Sequence, residues 1–213
     1  PGAAKPNWWI FKEIARRFGQ EWASAGGQEL WDSEVSVLAP NMAGIKYRRI
    51  EGDGLQWPCH NEEHPGTPIL HKGGKFTSGK GMFVACDYTP PAEEADAEYP
   101  LILSTGRRLF HYHTRTQTGR SGMDAILPEE TADISPQDAK RYGIADGDYI
   151  RVWSRRGEVI VKACVTEEVP SGMVWMAFHF RDTNANWLTK AVFDPDTFTA
   201  EYKACAVNIA KRT

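Results

Sequence analysis

Apolar residues recur at helical spacing early in the chain and at strand spacing later. Ile10, Ile14 and Phe18 fall on one face of a helix predicted over residues 7–18, with Asn7 placed to cap it and Gly19 to end it. A weaker helical pattern covers 28–39 through Leu30, Trp31, Val35 and Leu38, and Pro40 stops it. Residues 51–82 are rich in Gly, Pro and His and show little periodicity, which predicts a long extended segment packed on parts of a protein outside this sequence.

After residue 98 the texture becomes that of strands. Tyr99–Thr105 is a short apolar run closed by Gly106. Tyr149, Arg151 and Trp153 alternate with Ile150 and Val152. Arg155-Arg156-Gly157 forms a turn, and Glu158–Val165 returns as the second arm of a hairpin. Gly172–Phe178 reads as a further strand. Between these lies one short helix, with Ser135 as N-cap, Pro136 at its first position, Asp138 in the positive first turn and Gly143 ending it. These textures divide the chain into 1–88, the end of a preceding helical and extended region, a Pro-rich, acidic linker at 89–98 that buries little, and a β-rich domain at 99–213.

Composition narrows the classes. The chain has 213 residues, 41% hydrophobic and 25% charged, and a net charge of −3, which argues against general nucleic-acid binding. No run approaches the roughly 18 apolar residues of a membrane span. The first residues carry neither Met nor a signal pattern, and read as the start of a piece of a larger protein. The four cysteines, Cys59, Cys86, Cys164 and Cys205, form no CxxC pair and no iron–sulfur spacing.

One segment stands apart chemically. Ser104 to Arg120 holds four arginines, two histidines and four threonines without a carboxylate. A strand ending in Thr-Gly brings backbone close to a ligand, and the Thr hydroxyls, amides and Arg forks that follow suit a pyrophosphate. The segment is neither a P-loop nor a Rossmann fingerprint.

Thr105-Gly106-Arg107, His111-Tyr112-His113-Thr114 and Thr118-Gly119-Arg120 resemble the pterin-binding strand and loop of the molybdopterin-dinucleotide oxidoreductases. Asp133 to Lys140 with Gly143 to Asp148 resembles that family's helix and following strand, Ser154 to Gly157 its hairpin turn, and Glu201 to Val207 its closing strand. Gly54 to Cys59, His64 to His71, and Ala43-Gly44-Ile45 with Tyr47 are similar to formate dehydrogenases in particular. The resemblance implies a mainly β fold with a helical N-terminal extension, the barrel being a six-stranded double-psi β-barrel.

It also implies a role, the clasping of a molybdopterin guanine dinucleotide in a formate dehydrogenase catalytic subunit. The cofactor contacts carried over are Thr105, Gly106, Arg107, His111, His113, Thr114, Phe178, Asn186, Tyr202 and Lys203, with no catalytic or metal-ligating residue in this chain. Molybdenum or tungsten would be held mainly by the rest of the enzyme, and an iron–sulfur cluster would lie elsewhere in the complex. The partners implied are the N-terminal portion of the catalytic subunit and electron-transfer subunits, the compartment is the cytoplasm, and this chain alone is expected to be inactive. Cys59-His60 looks like a metal-ligand pair, but its surroundings resemble the later Trp-Pro-Cys segment, and a zinc site of Cys59, His60 and His64 lacks an evident fourth ligand. The alternatives are a nitrate reductase, a formylmethanofuran dehydrogenase subunit, or a non-enzymatic β-barrel interaction module.

Overall fold

The computed structural model describes residues 2–212 and divides into two compact units, Pro1–Ala85 and Cys86–Thr213.

In the first unit the opening helix runs over Asn7–Arg17. Pro6 rather than Asn7 is its N-cap and no side chain closes it, while Gly19 enters the left-handed region at φ 77° just past its end. Its apolar stripe is uncovered within this unit: Ile10, Ile14 and Phe18 are 41%, 45% and 80% exposed. The weaker pattern forms a continuous helical run over 27–38, interrupted by a π turn at Trp31–Val35. The segments that resemble formate dehydrogenases converge on Arg49. Its guanidinium donates to the carbonyls of Gly44, Asn61 and His64, and Cys59 is fully buried beside it. The Cys59 thiol donates to the carbonyls of Asn61 and His64, the behaviour of a packed structural thiol.

The second unit is a closed six-stranded barrel: β1 Leu101–Gly106, β2 Thr131–Ile134, β3 Tyr149–Trp153, β4 Glu158–Val165, β5 Met173–Ala177 and β6 Cys205–Lys211. Round the barrel the order is β1-β5-β2-β4-β3-β6. β1/β5 and β2/β4 are parallel and the remaining neighbours antiparallel. Exchanging β1β2β3 for β4β5β6 maps this order onto itself, so the barrel is built from two interlocked halves of like topology, the double-psi arrangement. Alternate residues point inward, as the pleat requires. Leu101, Leu103, Ile150, Val152, Val174 and Met176 are all fully buried, each side chain contributing about 1.5–3 kcal/mol.

The short helix is Pro136–Tyr142, capped by Ser135 Oγ accepting from the Asp138 N–H and ended by Gly143 at φ 65°. Asp138 is buried and also accepts from Ser171 Oγ and the Gly172 N–H, tying the helix to the β4–β5 connection. The hairpin turn falls at 154–157, as the Arg-Arg-Gly sequence predicts.

One strand escapes the sequence pattern, another starts later than expected, and the linker is held at Glu93. β2 escapes periodicity because it is four residues long and buries Ala132, Asp133 and Ile134 in succession. The closing strand starts at Cys205, not Glu201. β6 pairs with β1 only opposite Leu101–Leu103, and beyond that point Thr105 bonds to Tyr202 and Lys203 through side chains instead. The acidic linker is exposed at most positions but anchored at Glu93. Glu93, 9% exposed at its side chain, bridges Arg155 and Arg156 of the hairpin turn and accepts from the Ala206 N–H at 3.1 Å. Burial raises the Glu93 pKa, but these partners outweigh it and hold the carboxyl below the usual range.

Candidate functional site

β1 and β5 run parallel in register to Gly106 and Ala177, so both strands end together and deliver their next residues, Arg107 and Phe178, side by side. The Arg107 guanidinium lies 5.1 Å from the Phe178 ring centre. Around Phe178 stand His113 at 5.8 Å and Tyr202 at 6.4 Å, both edge to face, and Lys203 lies 5.6 Å over Tyr202. Five of the predicted contacts, Arg107, His113, Phe178, Tyr202 and Lys203, thus meet at one end of the barrel.

Thr105 and Gly106 serve this cluster from beneath. Thr105 is 1% exposed, and its hydroxyl donates to the Tyr202 carbonyl at 2.6 Å. Lys203 Nζ donates back to the Thr105 carbonyl, which leaves it further N–H groups to offer. Gly106 is required by packing: a Cβ there would sit 2.5 Å from Trp175 Cζ2. The close approach at this glycine is to an indole of the barrel itself.

The β1–β2 connection, residues 107–130, arches over this end. His111 is buried, its Nε2–H donating to the Leu127 carbonyl at 2.8 Å and its Nδ1 accepting from Thr118 Oγ1 at 3.1 Å. Both ring nitrogens are therefore spent within the loop. His113 and Arg115 adopt left-handed backbone at φ 47° and 63°, conformations that non-glycine residues seldom hold without a constraining environment. Thr114 lies between them, exposed. Asn186 is exposed on the short 3-10 turn Ala185–Trp187, where its N–H donates to Asn184 Oδ1.

The four arginines divide into two kinds. Arg115 pairs with Asp124 at 2.7 Å and lies over the Phe180 ring. Arg108 is turned inward onto Glu130, Thr131 and Asp133. Arg107 and Arg120 are exposed, with no carboxylate partner among the described residues. An open cavity of about 600 Å³ formed by the loop's own residues is lined by Arg107, Arg108, His111, His113 and Thr118 together with apolar side chains, and no carboxylate lines it.

Sequence reasoning did not single out His179 and Glu130. His179 is 5% exposed, and its Nδ1–H donates to the His113 carbonyl at 3.1 Å, which supports the left-handed turn there. Its Nε2 is buried without a partner, and burial pushes its pKa down. The tract Phe178-His179-Phe180 was the available signal, since a histidine between two aromatics after a strand is an unusual pattern for a solvated loop.

A cationic, aromatic cluster at the end of parallel strands, under a loop without free carboxylates, gives this double-psi barrel groups suited to an anionic ligand carrying a flat ring. Residues 101–206 match the model of the molydopterin dinucleotide binding domain, and this barrel belongs to that family. It is 44% identical over 214 residues to F420-dependent formate dehydrogenase 1 subunit alpha of Methanococcus maripaludis, covering 99% of this chain and 32% of that protein. A nitrate reductase of Symbiobacterium thermophilum is 36% identical over 238 residues, covering 99% of this chain and 31% of that protein. Among solved structures, acetylene hydratase from Pelobacter acetylenicus superposes with a TM-score of 0.68 at 16% identity, over 99% of this chain and 33% of that chain, a likeness of fold. The chain spans about a third of the length of these relatives.

Proposed function

We propose that this chain is the cofactor-clasping third of a formate dehydrogenase catalytic subunit, with residues 1–88 the end of the preceding region, 89–98 the connector and 99–213 the dinucleotide-binding domain. The observation that carries the reading is the meeting of Arg107, Phe178, Tyr202 and Lys203 at the end of β1 and β5, in a barrel of this family. The donor set fits a molybdopterin guanine dinucleotide. Arg107 and Lys203 offer N–H groups and charge to its phosphates, and Phe178 and Tyr202 offer ring faces. Thr105 and Gly106 act from below, and His111 holds the loop that carries His113 and Thr114. Asn186 is proposed as a pterin contact from its own turn.

The cofactor, when bound, supplies the metal, molybdenum or tungsten, and the electron-accepting chemistry by which formate is oxidised to carbon dioxide. The residues of this chain bind and orient it, and exclude water from the ring face over Phe178. The remaining two-thirds of the subunit is the first partner. It and electron-transfer subunits would bring the metal ligand, the catalytic groups and the iron–sulfur cluster, in a cytoplasmic complex.

The higher identity to the formate dehydrogenase subunit than to the nitrate reductase favours formate as substrate. The test is to co-express this chain with the N-terminal portion, purify through a tag on this chain, and extract pterin guanine dinucleotide and metal. Near-stoichiometric cofactor with formate-dependent dye reduction supports the reading, whereas nitrate turnover without formate oxidation refutes the substrate. A stable assembly without cofactor refutes the clasp and leaves an interaction module.

A further inference from the structure

Arg108 belongs to the loop that faces the ligand and reaches the cavity there, yet its hydrogen bonds run inward. Its side chain is 17% exposed, and Nε, Nη1 and Nη2 all donate inward. Nε donates to Glu130 Oε1 at 3.1 Å, Nη1 to Asp133 Oδ2 at 3.0 Å, and Nη2 to Glu130 Oε1, Asp133 Oδ1 and Thr131. Its plane lies 4.7 Å over Trp175 of β5. Arg108 is the second residue of the 107–130 connection and Glu130 is the last, so this pair closes the connection at its base.

Glu130 reaches a third element as well. Its Oε1 accepts from the Ala177 N–H at 3.0 Å, at the end of β5 immediately before Phe178. One carboxylate oxygen therefore joins the start of the loop, its finish and the strand end that presents the aromatic face. Glu130 Oε2 is buried with no partner. Burial raises the carboxyl's pKa although Arg108 is beside it, and Asp133 remains to balance the guanidinium.

We propose that Arg108 and Glu130 are a positioning pair, which fixes Arg107 against Phe178 for the phosphate-bearing ligand through bonds made inside the protein rather than to that ligand. The proposal rests on the cofactor reading above. Because all the work falls to Oε1, an amide oxygen in its place keeps every bond, so Glu130→Gln is tolerated. Lysine at 108 keeps the charge but cannot reach Glu130 and Asp133 together through a planar fork.

The test uses the assembled subunit, carrying Arg108→Lys, Arg108→Met or Glu130→Gln. Peptide-level hydrogen exchange is followed over 107–131 and, as a control for the barrel at large, over β3 and β4, alongside extractable pterin dinucleotide. The expected result is exchange in 107–131 faster by about tenfold in both Arg108 variants, the loss of roughly one net hydrogen bond. The control strands should hold their protection and pterin content should fall, with Glu130→Gln matching the parent in both readouts.

Unchanged loop exchange, loosening spread equally through β3 and β4, or Glu130→Gln failing like the Arg108 variants would overturn the pair. So would a loosened loop that keeps its full pterin content. If the parent assembly itself holds no pterin, the cofactor reading fails, and the exchange pattern in the same samples still decides whether the pair closes the loop. Should both Arg108 variants fail to assemble, Glu130→Gln against Glu130→Ala decides: loop protection and pterin kept by Gln and lost in Ala uphold the pair, and equal behaviour refutes it.

Discussion

Gly106→Ala separates two reasons for a glycine at the end of β1. The added methyl would lie 2.5 Å from Trp175 Cζ2, 2.9 Å from Cε2 and 3.0 Å from Nε1. The indole has little room to retreat, because Arg108 covers it at 4.7 Å and its backbone is in register with Ser104 on one side and Asp133 on the other. Overpacking of this kind costs about 1–3 kcal/mol. For a domain of this size each kcal/mol is worth about 3–5 °C, so the melting temperature should fall by roughly 3–15 °C. The assay is thermal unfolding followed by near-ultraviolet circular dichroism on Gly106→Ala, Trp175→Leu and the double variant. Relief of the clash makes the double variant more stable than the sum of the singles predicts, with a coupling of about 1–3 kcal/mol. A Gly106→Ala protein within about 0.5 kcal/mol of the parent, or strict additivity, would refute the packing argument and return the glycine to ligand approach.

Arg107→Ala and Lys203→Ala should each lower cofactor retention in the assembled subunit by about tenfold or more, since charge-assisted bonds to a ligand are worth about 1.5–3 kcal/mol; Arg107→Ala should leave thermal stability of the barrel nearly unchanged, Lys203→Ala should lower it by about 1 kcal/mol through its lost bond to the Thr105 carbonyl, and cofactor extraction beside a melting curve checks both. Glu93→Gln should destabilise the barrel by about 1–3 kcal/mol at neutral pH by weakening the hold on Arg155 and Arg156. Because the Glu93 carboxyl is held below its ordinary value in the folded state, its contribution is complete above the unfolded pKa of about 4.3 and fades as pH falls through the depressed folded one; denaturant titrations at pH 7 and pH 3 should find parent and Glu93→Gln closer together at the lower pH. Among the thiols, exposed Cys86 should react with a disulfide reagent first, while Cys205, pushed up to about 11 by burial, should stay silent until the barrel unfolds; simultaneous modification of both in the native protein would contradict the burial.

The elements legible in the sequence are those whose signals are local. The Ser135-Pro136 start and Gly143 end delimit a helix found at Pro136–Tyr142, and alternation through Tyr149–Trp153 and Glu158–Val165 delimits a hairpin. β2 was hidden because Asp133, a carboxylate that reads as surface, is buried to receive Arg108. The same interaction explains what was illegible in the site. The run Arg107-Arg108 looks like two equivalent cations, and only the position of Glu130, twenty-two residues further on, separates them. His111 and Thr105 carry the chemistry of ligand donors, but the Leu127 and Tyr202 carbonyls that occupy them are set by chain folding, not by spacing.

The barrel's internal symmetry sharpens where function can arise. Its two halves share a topology, with β1 to β2 and β4 to β5 making corresponding connections, yet one spans residues 107–130 and the other 166–172. The short connection is tied down at once: Asp138 takes Ser171 and Gly172, and the Thr166 N–H donates to Ile134. It has no length left with which to enclose a ligand. The long connection has that length, but a loop of its size is stable only if its base is closed and its interior bonded. Arg108 with Glu130 closes the base, and His111 with Thr118 and Leu127 bonds the interior. After that closure Arg107 on Phe178 and exposed Arg120 keep their guanidinium groups without carboxylate partners among the described residues, and Lys203 beside Tyr202 keeps N–H groups beyond its bond to Thr105, so these are groups free to meet a ligand. Site and scaffold are therefore separable on this barrel, and substitutions in the two groups should produce different phenotypes: loss of binding with a firm loop for the first, a loosened loop for the second.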